Sequence, residues 1–99
     1  MEITSKQRAY LRSLANGIDT ILHVGKEGIS ENLIKQADSA LAKRELIKGR
    51  VLENSIYTAR EAGQEIAQAT DSICVQCIGS RFVLYRKNPR LGENSIVLK

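Results

Sequence analysis

The pattern of hydrophobic and polar positions divides the chain into seven short elements. Three segments repeat apolar residues at the spacing of an α-helix: 5–15, 31–44 and 57–70. Four shorter apolar runs are typical of strands: 21–24, 46–52, 73–78 and 81–86. The order helix, strand, helix, strand, helix, strand, strand predicts an α/β domain of the α+β type. In such a domain helices back a mixed sheet, with at least one right-handed parallel crossover.

Capping and turn residues mark the ends of several of these elements. Thr4 and Gln7 have the spacing of a capping box, which starts the first helix. Ser30 has the chemistry of an N-cap for the second helix. Gly79 and Ser80 form a two-residue loop between the last two strands, and a glycine in the first loop position fits a type II′ hairpin turn.

The length and composition indicate one small domain. Ninety-nine residues, of which 26% are charged, suffice for a single modest core. The net charge of +4 and the pI near 9.3 suit a polyanionic partner. No apolar run is long enough to span a membrane, and the first residues do not resemble a secretory signal, so we expect a cytoplasmic protein with no membrane partner. Two cysteines cannot build a disulfide framework.

The segment Gly25-Lys26-Glu27-Gly28 lies between the first strand and the second helix and is the candidate anion-binding loop. Glycines let a phosphate approach the backbone without a Cβ in the way, and the free amides of a helix N-terminus attract anions. Lys26 adds a mobile cation, whereas Glu27 opposes an anion. A strand-to-helix turn also needs glycines for its geometry alone, so both interpretations stay open. The loop lacks the motifs of a P-loop and of a dinucleotide site.

Basic residues cluster outside this loop. The first helix carries Lys6, Arg8 and Arg12 on its polar side. In the second strand Lys48 and Arg50 alternate with apolar residues, so one face of that strand is predicted to be basic. Two groups along the sequence are rich in cations: Lys43, Arg44, Lys48 and Arg50, and then Arg81, Arg86, Lys87 and Arg90. Cations that share one surface indicate nucleic-acid binding, whereas scattered cations serve solubility.

No arrangement of residues typical of an enzyme is recognisable. Cys74 and Cys77 match a C-x-x-C motif, but residues three apart in a regular strand point to opposite faces, so we do not expect their thiols to meet or to share a metal. His23 has no partner that the sequence places beside it. Phe82 and Tyr85 are also three apart in a strand, which disfavours a platform for stacking bases. The sequence therefore predicts no catalytic residue, no metal site and no cofactor.

Five segments occur in an order and at a spacing that are specific when taken together: Thr4–Arg8, Val24–Ser30, Glu45–Lys48, Val75–Gly79 and Val83–Arg86. Together they resemble the CRM domain (chloroplast RNA splicing and ribosome maturation) in its stand-alone bacterial YhbY-type form. The similarity extends over residues 3–87, which we take as the domain. Residues 88–99 are left as a tail, which is either disordered or adds a strand to a neighbouring sheet.

The resemblance implies a mixed four-stranded sheet with three helices, similar to the C-terminal domain of translation initiation factor three. It also implies RNA binding and association with precursors of the large ribosomal subunit. The RNA-contacting GxxG loop of the family falls on residues 25–28, and its basic first helix falls on Lys6, Arg8 and Arg12. The chain departs from the family pattern mostly at turns: Asn16-Gly17, Arg44 and Thr70-Asp71-Ser72.

We therefore expect a non-catalytic protein that binds ribosomal RNA during assembly of the large subunit and has no small-molecule substrate. Beside the loop and the first helix, the expected RNA contacts are Lys48, Arg50 and Arg86. Recognition is expected to rest on shape and phosphate rather than on base identity. Two alternatives stay open. One is a protein-binding adaptor whose segment Ser95–Leu98 docks on another sheet edge, and the other is a thiol redox protein that uses the cysteine pair.

Overall fold

In the computed structural model, which describes residues 2–98, three helices and four strands follow one another in the predicted order. The helices are α1 (Ser5–Ala15), α2 (Glu31–Arg44) and α3 (Ala59–Thr70). The strands are β1 (Thr20–Val24), β2 (Leu46–Val51), β3 (Ile73–Ile78) and β4 (Arg81–Tyr85). A short 3₁₀ segment, η1 (Pro89–Asn94), which is kinked at Gly92, follows the last strand. The α+β fold class is confirmed.

The four strands form one mixed sheet in the order β1-β2-β4-β3. β1 and β2 are parallel and are connected through α2, which confirms the expected parallel crossover; its right-handed sense stays a prediction. β4 pairs with β2 and with β3 in the antiparallel sense. Since β1 and β2 run in the same direction, both finish at the end of the sheet where β4 begins. We call this end the loop end.

The predicted end signals are present. The capping box of Thr4 and Gln7 starts α1, and the Ser30 hydroxyl accepts a hydrogen bond from the Leu33 amide at the start of α2. α3 begins two residues later than the sequence indicated, because Thr58 and Glu61 form a second capping box. Gly79 in the β3–β4 turn has a φ of +58°, as the first loop position of a type II′ turn requires.

Apolar side chains pack on both faces of the sheet. On one face, which we call the α2/α3 face, Leu22, Ile47 and Phe82 pack against the two longer helices. On the other, the α1 face, Leu46, Val83 and Tyr85 pack against α1. Two buried residues show how closely the first core is packed: a Cβ added to Gly49 would lie 2.2 Å from the Phe82 ring, so only glycine fits beneath the ring. The opposite orientation of Phe82 and Tyr85 is as predicted.

The tail takes neither of the two conformations expected for it, because it packs against its own domain. Ile96 and Leu98 contact the core on the α1 face. Glu45, which is fully buried, accepts hydrogen bonds from the Asn88 amide at 2.6 Å, the Ser95 hydroxyl at 2.8 Å and the Ile96 amide at 2.5 Å. The segment that the adaptor alternative would use is therefore engaged within the chain.

The expectation that Cys74 and Cys77 point to opposite faces is wrong. The register of β3 against β4 shifts between Cys74 and Gln76, and this bulge removes the regular alternation. Both cysteines pack against the α2/α3 core, with their Sγ atoms 3.1 Å apart, while Val75 between them lies in the core on the α1 face. One extra residue in a strand is enough to turn both thiols to the same side.

No helix within residues 2–98 has both the length and the apolar character needed to cross a membrane.

Candidate nucleic-acid interface

The glycine-containing loop lies at the loop end of the sheet. Residues 25–28 follow β1 directly, and α2 begins after them with Ser30 as its N-cap. The Gly28 amide donates to the Gly25 carbonyl at 3.0 Å, which closes the loop into a turn. Lys26 and Glu27 at its tip are exposed. The predicted position between a strand and a helix N-terminus is therefore observed.

The two glycines of the loop differ in what the fold demands of them. Gly28 has a φ of +71°, and a Cβ there would lie 3.0 Å from the Tyr57 ring, so backbone geometry and packing both require glycine. At Gly25 a Cβ would make only ordinary contacts of 3.6 Å, with Asn54 and Leu52, and the backbone is not left-handed. Backbone geometry and packing thus explain why position 28 is a glycine, but they do not explain why position 25 is one. A close approach of a ligand to the backbone would account for it.

A cleft of about 400 Å³ opens beside the loop. Besides the loop itself, it is lined by residues from β1, from the first turns of α2 and from the segment after β2: His23, Ser30, Asn32, Leu33, Gln36 and Leu52. The N-terminus of α2 is at its rim, and the positive end of a helix dipole favours an anion there. Lys26 adds its charge at the same place. The cleft has the chemistry of a phosphate-binding groove.

Strand register aligns four side chains in one row across the sheet at the loop end. His23 is the partner of Arg50, Arg50 of Arg81, and Arg81 of Ile78. We call these four residues the cross-strand row. Their strand neighbours Leu22, Gly49, Phe82 and Cys77 face the α2/α3 core, so the row lies on the α1 face. All four side chains are exposed, and Ile78 is 65% exposed.

Lys48 extends this basic surface toward α1. It precedes Arg50 by two residues on β2, so it lies on the same face, where it is half-buried. With Asn16, Gln76 and Arg81 it lines a cleft of about 180 Å³ beside the C-terminal end of α1. Two acidic residues adjoin the surface, since Glu27 is in the loop and Glu53 lines the neighbouring depression with Arg50. Cations still outnumber them at this end of the sheet.

The members of each basic group seen in the sequence lie at two opposite ends of the sheet. Arg50 reaches the loop end, whereas Lys43 and Arg44 lie at the other end of β2, in the last turn of α2. Arg81 likewise lies at the loop end, whereas Arg86, Lys87 and Arg90 follow the far end of β4. Lys6 is exposed in the first turn of α1, far from the loop end, because its neighbour Gln7 lines a cleft with Tyr85 and Lys87. Arg12 is exposed one turn beyond Arg8.

The side chains of two predicted RNA contacts, Arg8 and Arg86, make hydrogen bonds within the chain. One guanidinium nitrogen of Arg8 donates to the Cys74 carbonyl at 3.0 Å and to the Val75 carbonyl at 2.7 Å, at the bulge of β3. Arg86 donates to the Asp38 carboxylate at 2.6 Å and to the Thr70 carbonyl at 2.7 Å. The structure gives both arginines a role in holding the fold together. RNA contact by either of them stays a prediction.

The sequence places Arg81 in a basic group and leaves His23 either packed or facing phosphate, but it selects neither residue as an RNA contact. The hairpin turn at Gly79-Ser80 indicates which residue Arg81 faces, since a two-residue loop places Arg81 opposite Ile78. The pairing of Arg81 with Arg50 depends on β4 lying beside β2, and no local pattern encodes that neighbour. Across residues 2–98 the structure gathers no group of three or more His, Cys, Asp or Glu side chains that could hold a metal ion.

A match to a protein-family model identifies the family of this chain. The model of the CRS1 / YhbY (CRM) domain matches residues 3–86. The chain belongs to this family. The CRM domain assignment confirms the resemblance drawn from the five sequence segments, and it covers both the loop and the cross-strand row.

Several known proteins are similar to this chain. A Bacillus subtilis protein named "Probable RNA-binding protein YqeI" is 40% identical over 86 residues, which cover 87% of this chain and 90% of the relative. The Methanocaldococcus jannaschii protein named "Probable RNA-binding protein MJ0652" is 34% identical over 100 residues, which cover 99% of this chain and 72% of the relative. The solution structure of the protein SAV1595 from Staphylococcus aureus is similar with a TM-score of 0.74 and 46% identity, covering 99% of this CRM domain chain and 100% of the other.

Proposed function

We propose that this protein binds RNA through the loop end of its sheet, with loop 25–28 and the cross-strand row as the contact surface. The observation that carries the proposal is the convergence of three anion-attracting features at one end of one sheet. These are the loop with its unconstrained Gly25, the N-terminus of α2, and the two exposed arginines of the row. The names of the relatives support the same conclusion.

The mode of binding follows from the chemistry of this surface. Backbone amides of the loop and the Lys26 ammonium suit one phosphate, and Arg50 with Arg81 suit another on the adjacent face. Phe82 and Tyr85 are fully buried, so neither can stack on a base. The RNA is therefore held by its backbone and shape, with little dependence on base identity.

Within this proposal the RNA is ribosomal RNA, in precursors of the large subunit in the cytoplasm, and the protein acts without catalysis. The support for this finer statement is the family resemblance of the five sequence segments. A direct test is sedimentation of the tagged protein from growing cells through a sucrose gradient. Co-migration with large-subunit particles is expected. A protein that stays at the top of the gradient would contradict the ribosomal target while leaving RNA binding itself to be tested separately.

RNA binding at the loop is tested by a matched pair of substitutions at Gly25. Gly25→Ala adds only a Cβ in ordinary contact, whereas Gly25→Asp adds a negative charge at the same place. We expect Gly25→Asp to weaken binding to a structured ribosomal RNA fragment about tenfold or more, by repulsion of phosphate. We expect equal melting temperatures for the two variants. Equal RNA affinities of Gly25→Asp and the wild type would overturn the loop as a contact.

A further inference from the structure

Two cysteine thiols lie close together away from the proposed RNA surface, between β3 and α3. The Sγ atoms of Cys74 and Cys77 are 3.1 Å apart, and both thiols are free and half-buried. A disulfide bond has an S–S length of about 2.05 Å, so the sulfurs need to approach by only about 1 Å more. Neither the family nor the proposed function assigns these thiols a role.

Several contacts fix this juxtaposition. The bulge of β3 turns both side chains to the α2/α3 face, and Arg8 holds the bulge through the carbonyls of Cys74 and Val75. α3 covers the sulfurs: a Cβ added to Gly63 would lie 3.0 Å from the Cys74 Sγ atom, and the Cys77 Sγ atom contacts the Ala59 carbonyl at 3.8 Å. The two thiols are therefore held together by the fold and not by chance rotamers.

We propose that Cys74 and Cys77 are a thiol/disulfide exchange site, which forms an intramolecular disulfide in the folded domain on reaction with a low-molecular-weight disulfide. In the first step the thiolate of Cys77 attacks one sulfur of the small disulfide. A mixed disulfide forms, and one small thiolate leaves. In the second step the Cys74 thiol loses its proton to solvent and attacks the Cys77 sulfur. The second small thiolate then leaves, so that two protein thiols are oxidised and one small disulfide is reduced to two thiols.

The surroundings of the two sulfurs set the order of these steps. Burial, together with the neighbouring Cys77 thiol, raises the pKa of the Cys74 thiol from 9.0 to about 12, so Cys74 is protonated and is a poor first nucleophile. Once Cys77 is in a mixed disulfide, its thiol no longer opposes ionisation of Cys74. The second step is then intramolecular, between two sulfurs already in contact.

The experiment exposes the folded 99-residue chain to oxidised glutathione and measures intact mass and free thiols. The expected product has lost two hydrogen atoms, carries no glutathione, is no longer alkylated by N-ethylmaleimide, and regains both thiols with dithiothreitol. Cys74→Ser should stop at the mixed disulfide on Cys77. Cys77→Ser should react at least tenfold more slowly than Cys74→Ser, because burial, the largest cause of the raised Cys74 pKa, persists in that variant.

Three results would overturn the proposal. They are a wild-type protein that accumulates the glutathione adduct, one that forms only intermolecular dimers, or one whose two thiols stay fully alkylatable after treatment. A circular-dichroism melt of the oxidised protein checks that the disulfide has formed in the folded state, since a cooperative transition should persist. None of these measurements depends on RNA binding, so the two proposals succeed or fail separately.

Discussion

Arg50 on β2 and Arg81 on β4 lie directly opposite each other in an antiparallel pair, with both side chains exposed on the α1 face. Like charges in this position disfavour the sheet. Among the ion pairs found within residues 2–98, none involves either arginine. A bound phosphate would convert the repulsion into attraction. If RNA binds there as proposed, the pair links the stability of the free domain to the binding of phosphate.

The first prediction separates these two effects at Arg81. Arg81→Gln should leave the free energy of unfolding unchanged or raise it by about 0.2–1 kcal/mol at low salt, because the repulsion from Arg50 is removed. The same variant should bind RNA more weakly and reduce the slope of log affinity against log salt concentration by about 1. Urea unfolding and RNA titration at several salt concentrations measure both quantities.

Arg90→Gln is the matched control, since Arg90 is exposed in η1 beyond the far end of β4. It removes the same charge and should leave RNA affinity within about twofold, because a charge far from the contact is largely screened. A loss of affinity equal to that of Arg81→Gln would show that net charge, rather than the position of the row, governs binding.

A second prediction concerns the buried carboxylate that holds the tail. Glu45→Gln presents an amide to donors that the carboxylate now satisfies, among them the Asn88 and Ile96 amides. Leaving one buried donor unpaired should lower the free energy of unfolding by about 1–3 kcal/mol. The Ile96 amide should exchange its hydrogen faster in the variant.

The same substitution also has a spectroscopic outcome. Burial and the charge of Glu45 raise the pKa of the Tyr85 phenol, so removal of that charge should lower the phenol pKa in an ultraviolet titration. RNA affinity should stay at the wild-type value, because Glu45 lies at the far end of β2 from the loop. Unchanged stability together with unchanged exchange at Ile96 would contradict the anchoring role.

The third prediction is a pH dependence that arises from Cys74. The folded state holds the thiol proton more tightly than the unfolded state, with a pKa of about 12 against 9.0. The folded state therefore binds more protons between these values, and its stability falls as pH rises through this range. The stabilisation that the protonated Cys74 thiol contributes to the folded state is fully present below pH 9. Urea unfolding of the reduced protein at increasing pH measures the fall.

Cys74→Ala serves as the control for this titration, since it removes the group and leaves Tyr85 in place. Its stability should decline less steeply above pH 9 than that of the wild type. Parallel curves for the two proteins would show that the thiol is not the source of the alkaline loss.

Local patterns were sufficient to predict much of the fold. The alternation around Lys48 and Arg50 correctly assigned one face of β2 as basic, because side chains in a regular strand alternate. The cap at Ser30 placed loop 25–28 against a helix N-terminus. Each of these features depends on residues that are close in sequence, so the sequence pattern contains the information.

The features that the sequence did not predict depend on partners far away in the chain. The bulge that brings the thiols together is held by Arg8, 66 residues before Cys74. The sequence around Glu45 gives no sign that its carboxylate is buried, because its hydrogen-bond donors follow 43 to 51 residues later. The contact of Arg50 with Arg81 depends on which strands become neighbours. Strand order and tertiary hydrogen bonds decide these features, and periodicity does not report them.

The most direct test of RNA binding at the loop end compares two lysines at opposite ends of α2. Lys26 precedes the helix in the loop, and Lys43 is exposed in its last turn, about 18 Å from the first turn at 1.5 Å per residue. Lys26→Glu and Lys43→Glu change the net charge equally. A difference in RNA affinity between them, measured by fluorescence anisotropy with a structured ribosomal RNA fragment, therefore depends only on the position of the changed charge. We predict that Lys26→Glu weakens binding about tenfold or more and that Lys43→Glu stays within about twofold of the wild type. Equal affinities of the two variants would contradict binding at the loop end.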